Sequence, residues 1–198
     1  MALTKLNNNG IAGVTALPSS VALGDMVLVS SATASSSATI DFTLGDYKEY
    51  QFYFVNIHPS ADTVSFTFNI STDAGSNYNV TKTTTFFHSY QNEAGTDSGL
   101  GYQPNQDLAQ STSFQPISKS TGNGADESVS GTLTLFNPSS TTYVKHFISN
   151  SSEYSGANEN FNDFVAGYAN TTSALTNIRF QMSSGNIDSG TILMYGIN

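Results

Sequence analysis

Ala38-Thr-Ile-Asp-Phe-Thr-Leu44 alternates apolar and polar residues at every step. Ala38, Ile40, Phe42 and Leu44 share one side of an extended chain; Thr39, Asp41 and Thr43 share the other. Successive side chains of a strand point to opposite faces, so this pattern predicts a half-buried strand. Asp62–Thr72 repeats it, with Val64, Phe66, Phe68 and Ile70 against Thr63, Ser65, Thr67, Asn69 and Ser71. Glu49–Ile57 is apolar on both sides, Tyr50, Phe52 and Phe54 opposing Tyr53, Val55 and Ile57. That predicts a central strand, or one whose outer face is covered by a loop or another subunit. Val129, Leu133 and Leu135 alternate with Ser130, Thr132 and Thr134, and Leu175–Met182 sets Ile178, Phe180 and Met182 against Asn177, Arg179 and Gln181. Gly190–Ile197 reads as a terminal strand that is apolar on both faces. Met26–Val29, Val80–Phe87, Tyr143–Ile148 and Phe161–Tyr168 bring the expectation to about ten strands of ordinary length.

Turn residues cluster between these segments, at Asp73–Asn77, Asn137–Ser140, Asn150–Asn160 and Ser183–Asn186. No stretch of ten or more residues carries the i, i+3, i+4, i+7 apolar face of a helix. Many short strands without intervening helices predict a two-sheet sandwich. Two regions stand apart. Residues 1–24 are polar, rich in Asn and Gly, and without a clear period, and they read as an arm ahead of the first strand. Residues 91–127 hold five Gly and two Pro but also Leu100, Tyr102, Leu108, Phe114 and Ile117. A solvated linker has no use for so many apolar groups, so this long excursion is expected to lie on the sandwich or on a neighbour.

Composition narrows the function. Ser, Thr and Asn make up more than a third of the 198 residues. Their side chains compete for backbone hydrogen bonds and argue further against helix. Six basic residues against 15 acidic ones give a net charge of −9. A nucleic-acid binder needs cations to displace counterions from phosphates, so that class is disfavoured. No apolar run approaches the ~18 residues of a membrane helix, so membrane insertion is not expected. The absence of Cys removes disulfide frameworks and thiolate zinc sites. Met1–Gly10, with three consecutive Asn, lacks the apolar stretch of a secretory signal, which predicts synthesis and retention in a cytosol. The sequons at Asn69, Asn79, Asn150 and Asn170 are what so much Asn, Ser and Thr produces by chance.

Candidate chemistry is sparse. The G-x-S-x-G elbow of a serine hydrolase is missing. His58 and His88 are expected at strand ends and His146 mid-strand, with no metal-ligand spacing between them. Asp41, Glu49, Asp163 and Asp188 lie near strands and are the candidates for a glycosidase acid pair, although solvated charge is the simpler reading. Asp73-Ala-Gly-Ser-Asn-Tyr78 offers oxygen ligands for calcium but lacks the EF-hand spacing, which favours a plain turn. Gly99-Leu-Gly101 precedes no helix and makes no phosphate loop. No metal or cofactor is expected.

The final run, Ala174 to Ile197, resembles the closing hairpin of jelly-roll proteins found in tailed-phage virions. Those chains end in a strand, a Ser-Ser-Gly-Asn-Ile type of turn, and a strand finishing in Leu-Tyr-Gly-Ile; here Met194 stands where Leu is usual. Phe68–Tyr78 is similar to their strand-plus-turn segment, with Ala74 in place of the more usual Gly. Gly131–Pro138, with Leu133, Leu135 and Asn137, resembles their strand followed by Asn-Pro-Ser. Met1–Gly10 and Val14–Pro18 resemble the short starts of marine-phage tail-fibre and other structural proteins.

The resemblance implies an all-β jelly-roll sandwich over residues 25–198, preceded by an extended arm at 1–24. It implies a non-enzymatic virion surface protein, a tail fibre or tail-associated appendage with a role in host binding; the alternative is a head decoration or cement protein. Other virion proteins and further copies of the chain, as a homotrimer, are the expected partners. In the arm, Leu3, Leu6, Ile11, Val14 and Leu17 are the expected attachment positions, docking by strand addition or in a groove. Jelly rolls also serve as lectin-like modules, and for contact with a host surface glycan Tyr90, Tyr102 and Phe114 are the candidates.

In the closing element, Gly185 supplies a residue free to take positive φ. The reading then pairs Ile178, Phe180 and Met182 directly with Ile192–Tyr195, and gives Gly196 the role of admitting a neighbouring backbone. Deleting Gly190–Asn198 removes a strand with neighbours on both sides, so the truncated chain is expected not to fold. A soluble truncate with a cooperative thermal transition would overturn this.

Overall fold

The alternating segments do become strands. The computed structural model describes residues 26–198; the arm and its candidates Leu3, Leu6, Ile11, Val14 and Leu17 lie outside the described residues. In chain order the strands are β1 (Met26–Thr33), β2 (Ile40–Thr43), β3 (Glu49–Pro59), β4 (Phe66–Ser71), β5 (Lys82–Asn92), β6 (Ser98–Tyr102), β7 (Gln115–Pro116), β8 (Val129–Phe136), β9 (Lys145–Ser155), β10 (Glu159–Ala169), β11 (Asn177–Met182) and β12 (Ile187–Ile197). No helix occurs among the described residues. The strands form an eight-stranded sheet, β1-β12-β3-β8-β9-β10-β5-β6, and a four-stranded sheet, β2-β11-β4-β7. Every pairing is antiparallel. The all-β, two-sheet reading holds, with twelve strands where about ten were expected; β6 and β7 emerge from the excursion.

The apolar faces identified by alternation meet between the sheets. Phe52 and Phe54 project from β3 of the large sheet, and Phe66, Phe68 and Phe180 from the small one, all fully or nearly fully buried. Phe180 sits at the hub: its ring lies 5.3 Å from those of Phe52 and Phe54 and 5.7 Å from that of Phe66, with Phe42 at 6.2 Å. Tilted, edge-on and offset-stacked rings at these separations add to the energy of burial.

The last two strands depart from the expectation. β11 pairs with β2 and β4 in the small sheet, and β12 with β1 and β3 in the large one. They are therefore not a hairpin but an arch between sheets, and Phe180, Met182, Ile192 and Met194 all lie in the core between the sheets instead of on hydrogen-bonded neighbours. Both strands carry an apolar inner face, and facing sheets bury both sets at once. Gly185 does take positive φ, 72°, in the arch, where a Cβ would collide with Ser60 and Ala61. Gly196 does not admit a backbone; the ring of Tyr47 lies over it, in the space a Cβ would occupy.

The large sheet extends past the small one through β9, β10, β5 and β6, and the 91–127 excursion covers the inner face left open. Residues 103–111 first continue along the edge of β5, with Thr84 N–H donating to Leu108 O and the Lys82 and Ser111 backbones bonded reciprocally. The chain then crosses to the small sheet, where β7 pairs with Thr67 and Phe68. Thr121 next bridges Val64 and Ser155. The excursion thus lies on its own sandwich and stitches the two sheets together. It also buries the polar side of β4, predicted to face outward: Ser65 Oγ donates to Lys119 O at 2.9 Å and Asn69 Nδ2 to Thr112 O at 2.9 Å.

Replacing Phe180 by Ala removes the hub ring from a core that cannot close around the gap. The expected cost is about 3–5 kcal/mol of unfolding free energy, measured by urea titration. A loss below about 1 kcal/mol would show that the core is not organised around this side chain.

Candidate functional site

Asn150–Asn160 was expected as a turn, but β9 runs to Ser155 and the chain reverses at residues 156–158. Beyond Phe147, its inward positions are Ser149, Ser151, Glu153 and Ser155, all buried although none is apolar. They escape the hydrophobic signature because they face backbone polar groups instead of side-chain carbons. Ser151 Oγ donates to Ile117 O in the covering segment, and Ser149 Oγ to Thr132 O. Glu153 receives the Lys119 N–H at 3.0 Å, the Ser120 N–H at 2.9 Å and the Thr121 hydroxyl at 2.6 Å. Asp163, on the adjacent β10, shares the Lys119 N–H at 3.2 Å.

Two buried carboxyls drawing on one N–H cannot both be ionised at little cost. Burial, then the Glu153 charge, pushes Asp163 up to about 9; Glu153 is also raised, by burial first, against the donors that surround it. The pair therefore holds a proton at neutral pH. His88 lies beside it, Nδ1 at 3.8 Å from Asp163 Oδ1. Burial and then the Lys119 charge lower its pKa, so this contact joins two neutral groups and is not an ion pair. Gln103 Nε2 lies 2.9 Å from His88 Nε2; with the amide donating, the imidazole proton sits on Nδ1 and faces the acid. His88, expected at a strand end, is buried in the middle of β5. Phe161 stacks on its ring, and Lys119 lies over Phe161 at 5.0 Å.

Two buried lysines occupy the far end of the same inner face, in one row with Ala169. Lys82 Nζ donates to Asn69 Oδ1 at 2.6 Å and to Val80 O, and burial lowers its pKa to about 7. Lys145 Nζ donates to Thr171 O, and burial lowers its pKa as well. Neither reaches the acid pair. Among the described residues no group of three or more His, Asp or Glu is placed to hold a metal ion. The acid pair is sealed beneath residues 117–122, so its chemistry in this conformation is to pin that segment to β9 and β10.

The other acidic candidates are dispersed. Asp41 forms a bidentate pair with Arg179 on the outside of the small sheet, at 2.8 and 2.7 Å. Glu49 accepts from Gln51, and Asp188 from Ser36. Asp73 caps its own turn, taking the Ser71 hydroxyl and the Asn77 N–H and amide, which lowers its pKa to about 2. Of the earlier carboxylates, only Asp163 belongs to a constellation, and its partner Glu153 escaped notice inside a Ser-rich stretch.

The aromatic candidates do not converge. Tyr90 faces inward against Phe161 and His88, while Tyr102 lies on the outer side, its hydroxyl bonded to Asp107. Phe114 is half-buried in the covering segment. Tyr102 instead joins residues not singled out from the sequence. Across β9, β10, β5 and β6 runs the row Asn150, Phe164, Phe87, Tyr102, and beside it across β8, β9, β10 and β5 runs Thr134, Ile148, Ala166, Thr85. Phe87 and Phe164 stack at 4.9 Å with ring planes 9° apart. Their exposures are 42% and 36%, with Tyr102 at 51% and Ile148 at 55%. Neither row contains a charged residue. A shallow groove of about 460 Å³ runs over Ala166 between Thr85, His146, Ile148 and Tyr168. No protein-family model, curated protein or solved structure matches this chain.

The acid pair sets a pH dependence whose sign is fixed. Native Asp163 keeps a proton up to about pH 9 that the unfolded chain releases near its ordinary value of 3.8. Its contribution to stability is therefore complete below about pH 4 and is lost as pH rises toward 9, by at most about 1.4 kcal/mol per pH unit. Lys82 acts oppositely, adding stability as pH rises from about 7 to 10.5, and His88, whose pKa burial lowers from 6.5, also adds stability as pH rises toward 6.5, so the difference between the wild type and Asp163→Asn is what isolates the acid pair. The melting temperature is expected to fall from pH 5 to 7. Asp163→Asn, which keeps the shape and the hydrogen bonds, should flatten that slope and raise the melting temperature at pH 7. An unchanged slope would refute the shared proton.

Proposed function

We propose that this chain is a non-enzymatic structural protein on the surface of a tailed-phage virion, a jelly-roll sandwich belonging to a tail fibre or tail-associated appendage. The strand order carries the reading. When the β5–β6 and β9–β10 hairpins are set aside, eight strands remain, in sheets β1-β12-β3-β8 and β2-β11-β4-β7. Counted along the chain, that is first-eighth-third-sixth and second-seventh-fourth-fifth, the order of a jelly roll. Such sandwiches build capsid and lectin domains. The two inserted hairpins lie together and widen one sheet.

Fold alone does not assign function. The resemblance of the terminal run to virion jelly rolls supplies the particle, and two features agree with a contact role. The carboxyls that come together are sealed away from any substrate, and the apolar groups left exposed form a face. A head decoration protein uses the same features, and position on the particle separates it from an appendage.

In this reading residues 1–20 attach the domain to the particle. Their deletion is expected to leave the sandwich with its full melting temperature and to abolish incorporation. Gold-labelled antibody against residues 26–198 is expected to mark the tails of intact particles in electron micrographs. Labelling confined to heads moves the assignment to decoration. Particles that bind no antibody and contain none of the chain overturn the virion reading.

A further inference from the structure

We propose that the outer face of the eight-stranded sheet is the contact by which two copies of this chain pair, face to face, through the rows centred on Phe164, Phe87 and Ile148. Exposed apolar residues scattered singly call for no explanation, but a contiguous set on one rigid face does. Here the rows Asn150–Phe164–Phe87–Tyr102 and Thr134–Ile148–Ala166–Thr85 lie side by side on paired strands. Further along the same face Tyr53, Val55, Leu193 and Tyr195 form a second apolar hollow with Met26.

Charge selects a second copy as the occupant. The chain carries a net charge of −9. Two identical acidic bodies approach closely only through surfaces that carry none of that charge, because like charges brought together and desolvated repel strongly. Both rows are free of charged residues, with Asp107 meeting them only at the β6 end through the Tyr102 hydroxyl, whereas Asp46, Asp62, Asp73, Glu93, Asp97 and Asp126 are exposed in the loops. A basic partner would be met by an acidic patch; a copy of this chain is met by a neutral one. An isologous contact presents the same patch from both sides, so one neutral face satisfies both copies.

Size agrees. Seven interstrand spacings of about 4.8 Å make the sheet about 34 Å wide, and its 11-residue strands run about 36 Å. That face of about 1,200 Å² exceeds the roughly 800 Å² per partner of a stable interface. Sheets also pack readily on sheets, as the two within the sandwich do. The contact stands whether or not the virion reading does, since it rests on the face alone.

The chain has no Cys, so one introduced thiol reports unambiguously. Light scattering of the purified full chain is expected to give twice the 21.0 kDa mass, about 42 kDa. Phe164→Glu and Ile148→Glu should each give the monomer mass with an unchanged circular dichroism spectrum and a cooperative melt. Because both side chains are exposed, loss of pairing separates from loss of folding. A flexible bis-maleimide should join Ala166→Cys chains into a dimer and leave Thr43→Cys, on the other sheet, unlinked. The proposal is overturned by a wild-type monomer at about 100 µM, even one that binds glycan through the same row, since contacts of this size are ordinarily stable there. It is equally overturned by a dimer that survives both Glu substitutions, or by equal linking of the two Cys variants.

Discussion

A sheet of four strands shields only part of a sheet of eight, and most of what is unusual in this molecule follows from that mismatch. Between the facing parts the core is a conventional sandwich interior, aromatic rings meeting around Phe180. Beyond the contacts that Phe147, Lys82 and Thr84 make with the small sheet, much of the inner face of β9, β10, β5 and β6 is covered by irregular chain instead of by strands. An open backbone edge or polar face must be paired or hydrated. The 91–127 excursion meets the need as irregular chain, and irregular chain brings its own unpaired N–H and C=O groups inward. The inner face answers with hydroxyls, amides and carboxyls. The buried polar cluster is thus the complement of a roof that is not a sheet.

The acid pair illustrates how such a cluster stays affordable. Glu153 accepts two backbone N–H groups and a hydroxyl, which no apolar residue could do, and removing those acceptors would orphan the Lys119 and Ser120 amides. Two full charges there would cost more than the hydrogen bonds return, so the pair keeps a proton. Lys82 and Lys145 lie too far along the strands to neutralise it, and each is held by amide or carbonyl oxygen instead. Polar networks of this kind hold one arrangement of a loop in preference to others, because every alternative leaves a buried partner unmet.

These physical distinctions also decide what could be read from the chain. Strands β2, β3, β4, β8, β11 and β12 were legible because their apolar partners sit across a sheet-on-sheet core, and alternation is the signature of that environment. β9 was half-hidden: Ser149–Ser155 faces a loop, and small polar residues against backbone atoms look in sequence like a turn. Glu153 disappeared with it. His88 was misplaced to a strand end because β5 continues through Tyr90 to Asn92, polar where the excursion and β10 flank it. Phe180 was correctly set on the apolar face of its strand, yet that strand was joined to the last one as a hairpin. Alternation gives the face a residue takes but not which sheet it belongs to, and a Gly185 turn serves an arch as well as a hairpin.

The outer face completes the argument from the opposite side. β3 and β12 are apolar on both surfaces, a pattern that asks for two covers, and the sandwich supplies only the inner one. The widened sheet continues that uncovered surface through Phe164 and Phe87, whose rings stack on each other. A chain selected only for solubility would interrupt such rows with Lys or Glu, as sheets commonly do to discourage association. Here the exposed carboxylates stand mostly in the loops around the face, with Glu49 at the end of β3. Placing charge at the rim and leaving the centre neutral is the arrangement of a protein interface, where desolvation is least costly in the middle. The β5–β6 and β9–β10 hairpins enlarge both surfaces of the sheet at once. The roof consumes the inner one and leaves the outer one exposed.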